Sequence, residues 1–278
     1  MTRIATLILA LLLLPSASLQ AQDAPARTPV TILISIDGFR ADYLDRGLTP
    51  TLSKLAAEGA HGKLRPSFPT KTFPNHYALV TGKRPDSSGI TGNNMIDPRR
   101  PAVKFSLGDP KQSLDPFWWD EAEPAWVTAD RAGVRSATMF WPGSEVAIHG
   151  VRPPDWLRYD EHVGYAQRVN TVLDWMRRPA AIRPAFVTLY FEAVDSAGHE
   201  FGPDSAEVNA AIAEVDARIG ELVAGLAAME QPVRLLVVAD HGMHATDETR
   251  VVQLADLIDL SSIVAVETGP YAAIEPAA

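Results

Sequence analysis

The stretch VTILISID, Val30 to Asp37, decides how the chain is read. Its aliphatic residues are nearly continuous, as in a strand covered on both faces within a parallel sheet. It ends on a carboxylate followed by Gly38. A carboxylate at the buried end of a strand costs free energy unless something pairs with it. Asp-Gly after a strand is also an ordinary turn, so the choice between turn and site falls to the rest of the chain.

Working outward, LTPTLSKLAAEGA predicts a helix with Thr49 as N-cap, Pro50 at its first position, Leu52, Leu55 and Ala56 on one face and Gly59 as the stop. HGKLRPSF reads as a short strand, and a helix is expected over 73–81, stopped by Gly82. Residues 85–120 are rich in turn formers and read as loop. Alternation then resumes: a helix over 124–132, the strand VRSATMFW (134–141), a helix over 161–176 and the strand AFVTLYFE (185–192). A long helix follows over 205–229, with Ile212, Val215, Ile219, Leu222, Val223 and Leu226 at helical spacing. The strand VRLLVVAD (233–240) closes the series. Strands alternating with helices predict an α/β fold with a mostly parallel central sheet flanked by helices. In such folds ligand-binding groups gather beyond the carboxyl ends of the strands.

Three acids fall there: Asp37, Asp195 and Asp240. Asp240 is followed at once by His241, and Asp195 by His199 four residues on, in DSAGH. Three carboxylates in one crevice repel one another, and one or two divalent cations resolve that repulsion. Oxygen and imidazole ligands without thiolate suit zinc, manganese or a similar metal; the sequence has no cysteine. DSAGH also reads as a loop with a solvated histidine, and His244 reads as a surface residue.

In SFPTKTFPNHYALVTG (67–82), Thr72 reads as an N-cap with Pro74 in the first helical turn. Its hydroxyl would stand at the positive end of a helix, a favourable place for a phosphate. Thr72 is a nucleophile only if metal lies beside it. Thr70 reads as part of the approach loop, and Lys71 as solvated or close to a substrate phosphate.

Composition sets outer bounds. With 46% apolar and 21% charged residues the 278-residue chain is globular. A formal charge of −9 argues against binding nucleic-acid polymers or anionic membranes generally. Arg3 followed by the apolar run 4–14 reads as a signal peptide over 1–21, cleaved after Ala21 or, second choice, after Ser18. An N-terminal membrane anchor is the alternative. Residues 22–29 read as a linker and 30–278 as the catalytic domain. A periplasmic or secreted protein without stable membrane insertion is expected.

ILISIDGFRADYL, PSFPTKTFPNHYALVTGKRPDSSGITGNNMIDP, DSAGHEFGP and VVADHGM, in this order, resemble the nucleotide pyrophosphatase/phosphodiesterase family of the alkaline phosphatase superfamily. The resemblance runs from about 30 to 243. It implies that Thr72 is the nucleophile and that two divalent metal ions, zinc in that family, serve as cofactors. One is held by Asp37, Thr72, Asp240 and His241, the other by Asp195, His199 and a histidine far downstream. Asn93 is implied as donor to a phosphate oxygen and Phe73 as the aromatic that stacks on a nucleobase, with a second aromatic in the 156–159 region, here taken as Tyr159. The implied activity is hydrolysis of phosphodiester or pyrophosphate bonds in small nucleotide or diester substrates through a covalent threonine intermediate. A phosphomonoesterase, a phosphonate hydrolase, or a catalytically impaired metal- or nucleotide-binding fragment are the alternatives. The distant histidine is the departure: after His241 the sequence has only His244, too near to serve. VETGPYAAIEPAA reads as the start of an inserted cap, so a sheet incomplete at its C-terminus is expected, from a fragment of a longer product or from a natural short form.

Overall fold

The computed structural model describes residues 27–277. The signal peptide expected over 1–21, and all of the linker before Arg27, lie outside the described residues.

Five strands form one sheet: β1 (Val30–Ile36), β4 (Ser136–Met139), β5 (Asp155–Trp156), β6 (Phe186–Phe191) and β7 (Val233–Val238). Their order is β5-β4-β6-β1-β7, and every pairing is parallel. Two antiparallel pairs lie apart from it: β2 (Asn94–Ile96) with β3 (Lys104–Ser106), and β8 (Ile263–Glu267) with β9 (Ala273–Pro276). The helices are α1 (Pro50–Glu58), α2 (Thr72–Thr81), α3 (Pro85–Ser88), α4 (Pro110–Ser113), α5 (Ala125–Arg131), α6 (Tyr165–Arg177), α7 (Ala193–Phe201) and α8 (Ala206–Ala228).

Period-two alternation divides β1 between two cores. Val30, Ile32, Ile34 and Ile36 pack with Val169, Val172 and Met176 of α6 and with Ile212, Val215 and Ile219 of α8. Leu33 faces a second core with Tyr77 and Val80 of α2 and Trp126 of α5. Each fully buried isoleucine contributes about 2 kcal/mol of apolar transfer, and β1 lies inside the sheet between β6 and β7 with both faces covered. Ser35 and Asp37 continue the Leu33 side.

Helix α8 begins as expected, with Ser205 Oγ accepting from the Val208 N–H at 3.2 Å; such a cap contributes ~1 kcal/mol. Thr49 takes the expected position without the expected bond. It stands at the N-cap of α1, but its side chain makes no cap bond and lies 3.2 Å from Ser53 Oγ. Asp216 of α8 accepts from the N–H groups of Thr51 and Leu52 instead, at 3.0 and 2.7 Å. A buried carboxylate in the tertiary structure has displaced the local cap.

The strand expected in HGKLRPSF does not form. Pro66 removes a ladder donor, and Leu64 and Phe68 lie exposed. The region read as loop over 85–120 holds short elements, α3, β2, β3 and α4, anchored by buried Met95, Phe105, Trp118 and Trp119.

Candidate active site

Register brings the acids together. Ser35 of β1 pairs with Val238 of β7, so two residues beyond each, Asp37 and Asp240 emerge side by side. Ile36 pairs with Phe191, so the turn from β6 into α7 opens on the other flank of Asp37. Gly38 turns the chain with φ +67, and a Cβ there would stand 3.0 Å from Cα and 3.1 Å from Oδ1 of Asp195. Asp-Gly is thus both a turn and a site: glycine is needed for the backbone and for the close approach of Asp195.

Asp37, Asp240 and His241 offer ligand atoms that all lie within 4.8 Å of one another. His241 Nε2 is 3.4 Å from Asp37 Oδ1 and 3.2 Å from Asp240 Oδ2. Ligand atoms about 2.0–2.2 Å from a tetrahedral zinc stand roughly 3.3–3.5 Å from each other, so this spacing fits a divalent cation. Asp37 Oδ1, Asp195 Oδ1 and Asp240 Oδ2 are buried and without hydrogen-bond partners. Bare buried carboxylate oxygens are costly unless a cation meets them, and the residues present therefore suit a metal.

The electrostatics agree. Burial, then the charges of Asp240 and Asp195, hold the Asp37 carboxyl well above its ordinary range, against a hydrogen bond from Tyr190. Burial also raises Asp195, partly offset by His199 and His241. Burial pushes Asp240 upward too, but His76, His241 and the Gly38 N–H together bring it below the usual value.

DSAGH is helical, which corrects the loop alternative. Asp195 and His199 lie one turn apart on α7, with His199 Nε2 3.5 Å from Asp195 Oδ1. Gly198 is there for packing: a Cβ would meet Met243 Cε at 3.0 Å. The His199 side chain is 72% exposed, so this half is open where the first is enclosed. His244 is exposed, as expected.

Thr72 is not a cap, which corrects the sequence reading. It is the first residue of α2, and the cap position falls on Lys71, whose side chain makes no cap bond. Asn75 ties the approach loop to the helix instead. Its Nδ2 donates to the carbonyls of Pro69 and Lys71, and its Oδ1 accepts from the Ser67 N–H. Relieved of capping, Thr72 Oγ1 lies 3.5 Å from His241 Nε2. The structure thus brings Thr72 to the Asp37–Asp240–His241 group.

Asn93 Oδ1 accepts from the Phe73 N–H at 3.0 Å, which fixes the amide orientation and leaves Nδ2 as its donor. The Phe73 ring packs on Phe105 and Trp119 at centroid distances of 6.0 and 5.8 Å. Tyr159 is 43% exposed, with its ring 6.1 Å from that of Tyr190. Lys71 is neither solvated nor free: its Nζ stands 3.6 Å from Glu267 Oε1 of β8 and 5.8 Å above the Tyr271 ring.

Two site residues escape the sequence reading. Tyr190 donates to Asp37 Oδ2 at 2.7 Å. His76, fully buried on α2, has Nδ1 2.8 Å from the Thr72 carbonyl and 3.3 Å from Asp240 Oδ2, and Nε2 2.8 Å from Ser35 Oγ. The Thr72 carbonyl only accepts, so Nδ1 carries a proton. Ser35 and Tyr190, hydroxyl residues near the carboxyl ends of two aliphatic strands, were the available signal.

Comparison with known proteins extends the agreement beyond these residues. The family described as "Type I phosphodiesterase / nucleotide pyrophosphatase" matches residues 31–278. An uncharacterised pyrophosphatase/phosphodiesterase of Schizosaccharomyces pombe is 45% identical over 237 residues, 84% of this chain and 48% of that protein. Human ectonucleotide pyrophosphatase/phosphodiesterase family member 1 is 42% identical over 94% of this chain and 29% of its own length. The bis(5'-adenosyl)-triphosphatase enpp4 of Xenopus laevis is 40% identical over 90% of this chain and 55% of its own. Among solved structures, murine family member 5, an inactive threonine-to-alanine variant in complex with AMP, superposes with a TM-score of 0.84 at 35% identity, covering 90% of this chain and 66% of that one. The chain thus spans about half or less of these curated relatives. From residue 31 to its last residue, the chain belongs to the type I phosphodiesterase / nucleotide pyrophosphatase family.

Proposed function

We propose that the chain carries the nucleophile and metal-binding core of an exported hydrolase that cleaves phosphodiester or pyrophosphate bonds in nucleotides through a covalent threonine intermediate. One observation carries this reading: Thr72 Oγ1, on the first turn of α2, stands 3.5 Å from His241 Nε2, which lies within 3.4 Å of oxygens of Asp37 and Asp240. Asp37, Asp240 and His241, with Thr72 itself, would hold one divalent cation, zinc by its ligand types, and Asp195 and His199 contribute to a second. The cations, when bound, supply Lewis-acid activation of the alcohol and neutralise charge at the phosphorus.

The chain's own groups do the rest. Thr72 Oγ gives up its proton and attacks phosphorus, forming an Oγ–P bond as the bond to the leaving oxygen breaks. Water then cleaves the Oγ–P bond and restores the alcohol. The positive end of α2 favours the phosphoryl charge. Asn93 Nδ2 is the donor for a non-bridging oxygen, since the Phe73 N–H is occupied by Asn93 Oδ1. One amide donor and a helix end suit a diester better than a dianionic monoester. Phe73, fixed against Phe105 and Trp119, and half-exposed Tyr159 supply the aromatic surfaces for a base. Nucleotide substrates agree with the names of the relatives, and the apolar leader with an exported chain; no helix among the described residues is long and apolar enough to cross a membrane.

Three measurements test this. Turnover of bis-p-nitrophenyl phosphate should exceed that of p-nitrophenyl phosphate, and rapid quenching should trap label on Thr72. Thr72→Ala should lower turnover by ~10³-fold or more and keep most of the bound metal. Faster monoester cleavage would reject the substrate class. A second reading, metal and nucleotide binding without turnover, is favoured by the exposure of His199; the absence of labelled Thr72 in a metal-loaded chain would select it.

A further inference from the structure

The Asp37 carboxylate is divided between two tasks. Its Oδ2 accepts the Tyr190 hydroxyl at 2.7 Å. Its Oδ1 is buried, has no hydrogen-bond partner and faces His241 Nε2 at 3.4 Å. Asp240 is arranged similarly: Oδ1 accepts from the Gly38 N–H at 3.2 Å, while Oδ2 lies 3.2 Å from His241 Nε2 and 3.3 Å from His76 Nδ1. Each central carboxylate thus gives one oxygen to a buried donor and leaves the other towards the cluster.

Tyr190 is built for this. Register sets it beside Ser35, so its side chain lies on the same face as Asp37, two residues further along β1. The residue is 8% exposed, and its ring is flanked edge-on by His76 at 5.2 Å and by Tyr159 at 6.1 Å. A close-packed ring holds its hydroxyl in place. An ionised carboxylate only accepts, so the phenol is the donor. The bond is not needed for packing, because phenylalanine would fill the same space.

We propose that Tyr190 is a positioning residue that makes Asp37 a one-oxygen metal ligand, engaging Oδ2 so that Oδ1 alone is presented to a cation held with Asp240 and His241. The inference rests on the metal-site reading given above. Groups that orient a metal-bound side chain typically alter affinity 10- to 100-fold when removed. Without the phenol, Asp37 is free to rotate and to offer both oxygens, which changes coordination number as well as affinity.

The test uses the 278-residue chain and its Tyr190→Phe variant, with zinc measured by competition against a chromophoric chelator and cobalt(II) as a spectroscopic probe. The expected result is a loss of zinc affinity of ~10- to 100-fold at the tighter site, weaker visible cobalt bands as coordination rises above four, and an unchanged far-ultraviolet spectrum of the metal-free chain. A double-mutant cycle adds a readout that a purely structural bond would not move. In an Asp37→Ala background, Tyr190→Phe should cost no further affinity. Equal affinity and an identical cobalt spectrum in Tyr190→Phe would overturn the assignment, as would losses that simply add in the cycle. A wild-type chain that takes up no cation fails at an earlier point and overturns the metal reading itself.

Discussion

Asp37, Asp240 and His241 stand on the ends of two adjacent parallel strands, with ligand atoms within 4.8 Å of each other. Asp195 and His199 stand on a helix beside them, with the imidazole 72% exposed. The first group inherits its geometry from the sheet ladder, and buried donors hold the far oxygens of its carboxylates. The second takes its geometry from the one-turn spacing of α7 and from the close approach of Gly38 to Asp195, and its histidine is exposed to solvent. Preorganisation separates them: affinity follows from how little must be ordered when a ligand arrives.

The largest expected effect breaks the enclosed group. Asp240→Ala should lower affinity at the tighter site by more than ~100-fold and abolish turnover with it, as read by metal content after dialysis. Retention of a full metal complement would show that the strand ends do not form the site. A smaller effect sharpens the contrast: His199→Ala should weaken only the looser step of a two-step zinc titration, by ~10-fold, and leave the tighter step in place. Loss of both steps would mean that the two groups form one inseparable unit.

The smallest effect is on stability. The Asp37 carboxyl is raised, first by burial and then by its acidic neighbours. A raised carboxyl binds a proton more readily in the folded chain than in the unfolded one. Its contribution to the metal-free fold is therefore full below the ordinary carboxylate range and is lost as pH rises through the raised value. Metal needs the ionised form, so uptake weakens as pH falls through that same value. At pH 8, Asp37→Asn should melt a few degrees above wild type without metal and below it with metal. An Asn variant that melts lower under both conditions would show that Asp37 is not destabilising on its own.

The sheet and the acids at its strand ends were legible in the sequence because both are local patterns: an aliphatic run closed by a carboxylate needs no partner to be seen. The long helix was legible for the same reason, from its spacing. What was misread depended on distant chain. Thr49 holds the cap position but not the cap bond, because Asp216 accepts from the N–H groups of Thr51 and Leu52. Thr72 looked like a cap, but Asn75 organises that turn from within the helix. Lys71 read as solvated or close to a substrate phosphate, yet Glu267 meets it. Tyr190 and His76 were overlooked because nothing in their own neighbourhood says that one will reach Asp37 and the other Asp240.

The place of β1 between β6 and β7 has a further consequence for assembly. The hydroxyl contact with Asp37 spans 153 positions, and the Gly38–Asp240 contact spans 202. Ring closure over such distances is slow and comes late in folding. During synthesis the first carboxylate emerges long before the residues that complete its surroundings. A nascent or partly folded chain therefore lacks the completed carboxylate cluster, and uptake of a cation there would report that β1, β6 and β7 have paired.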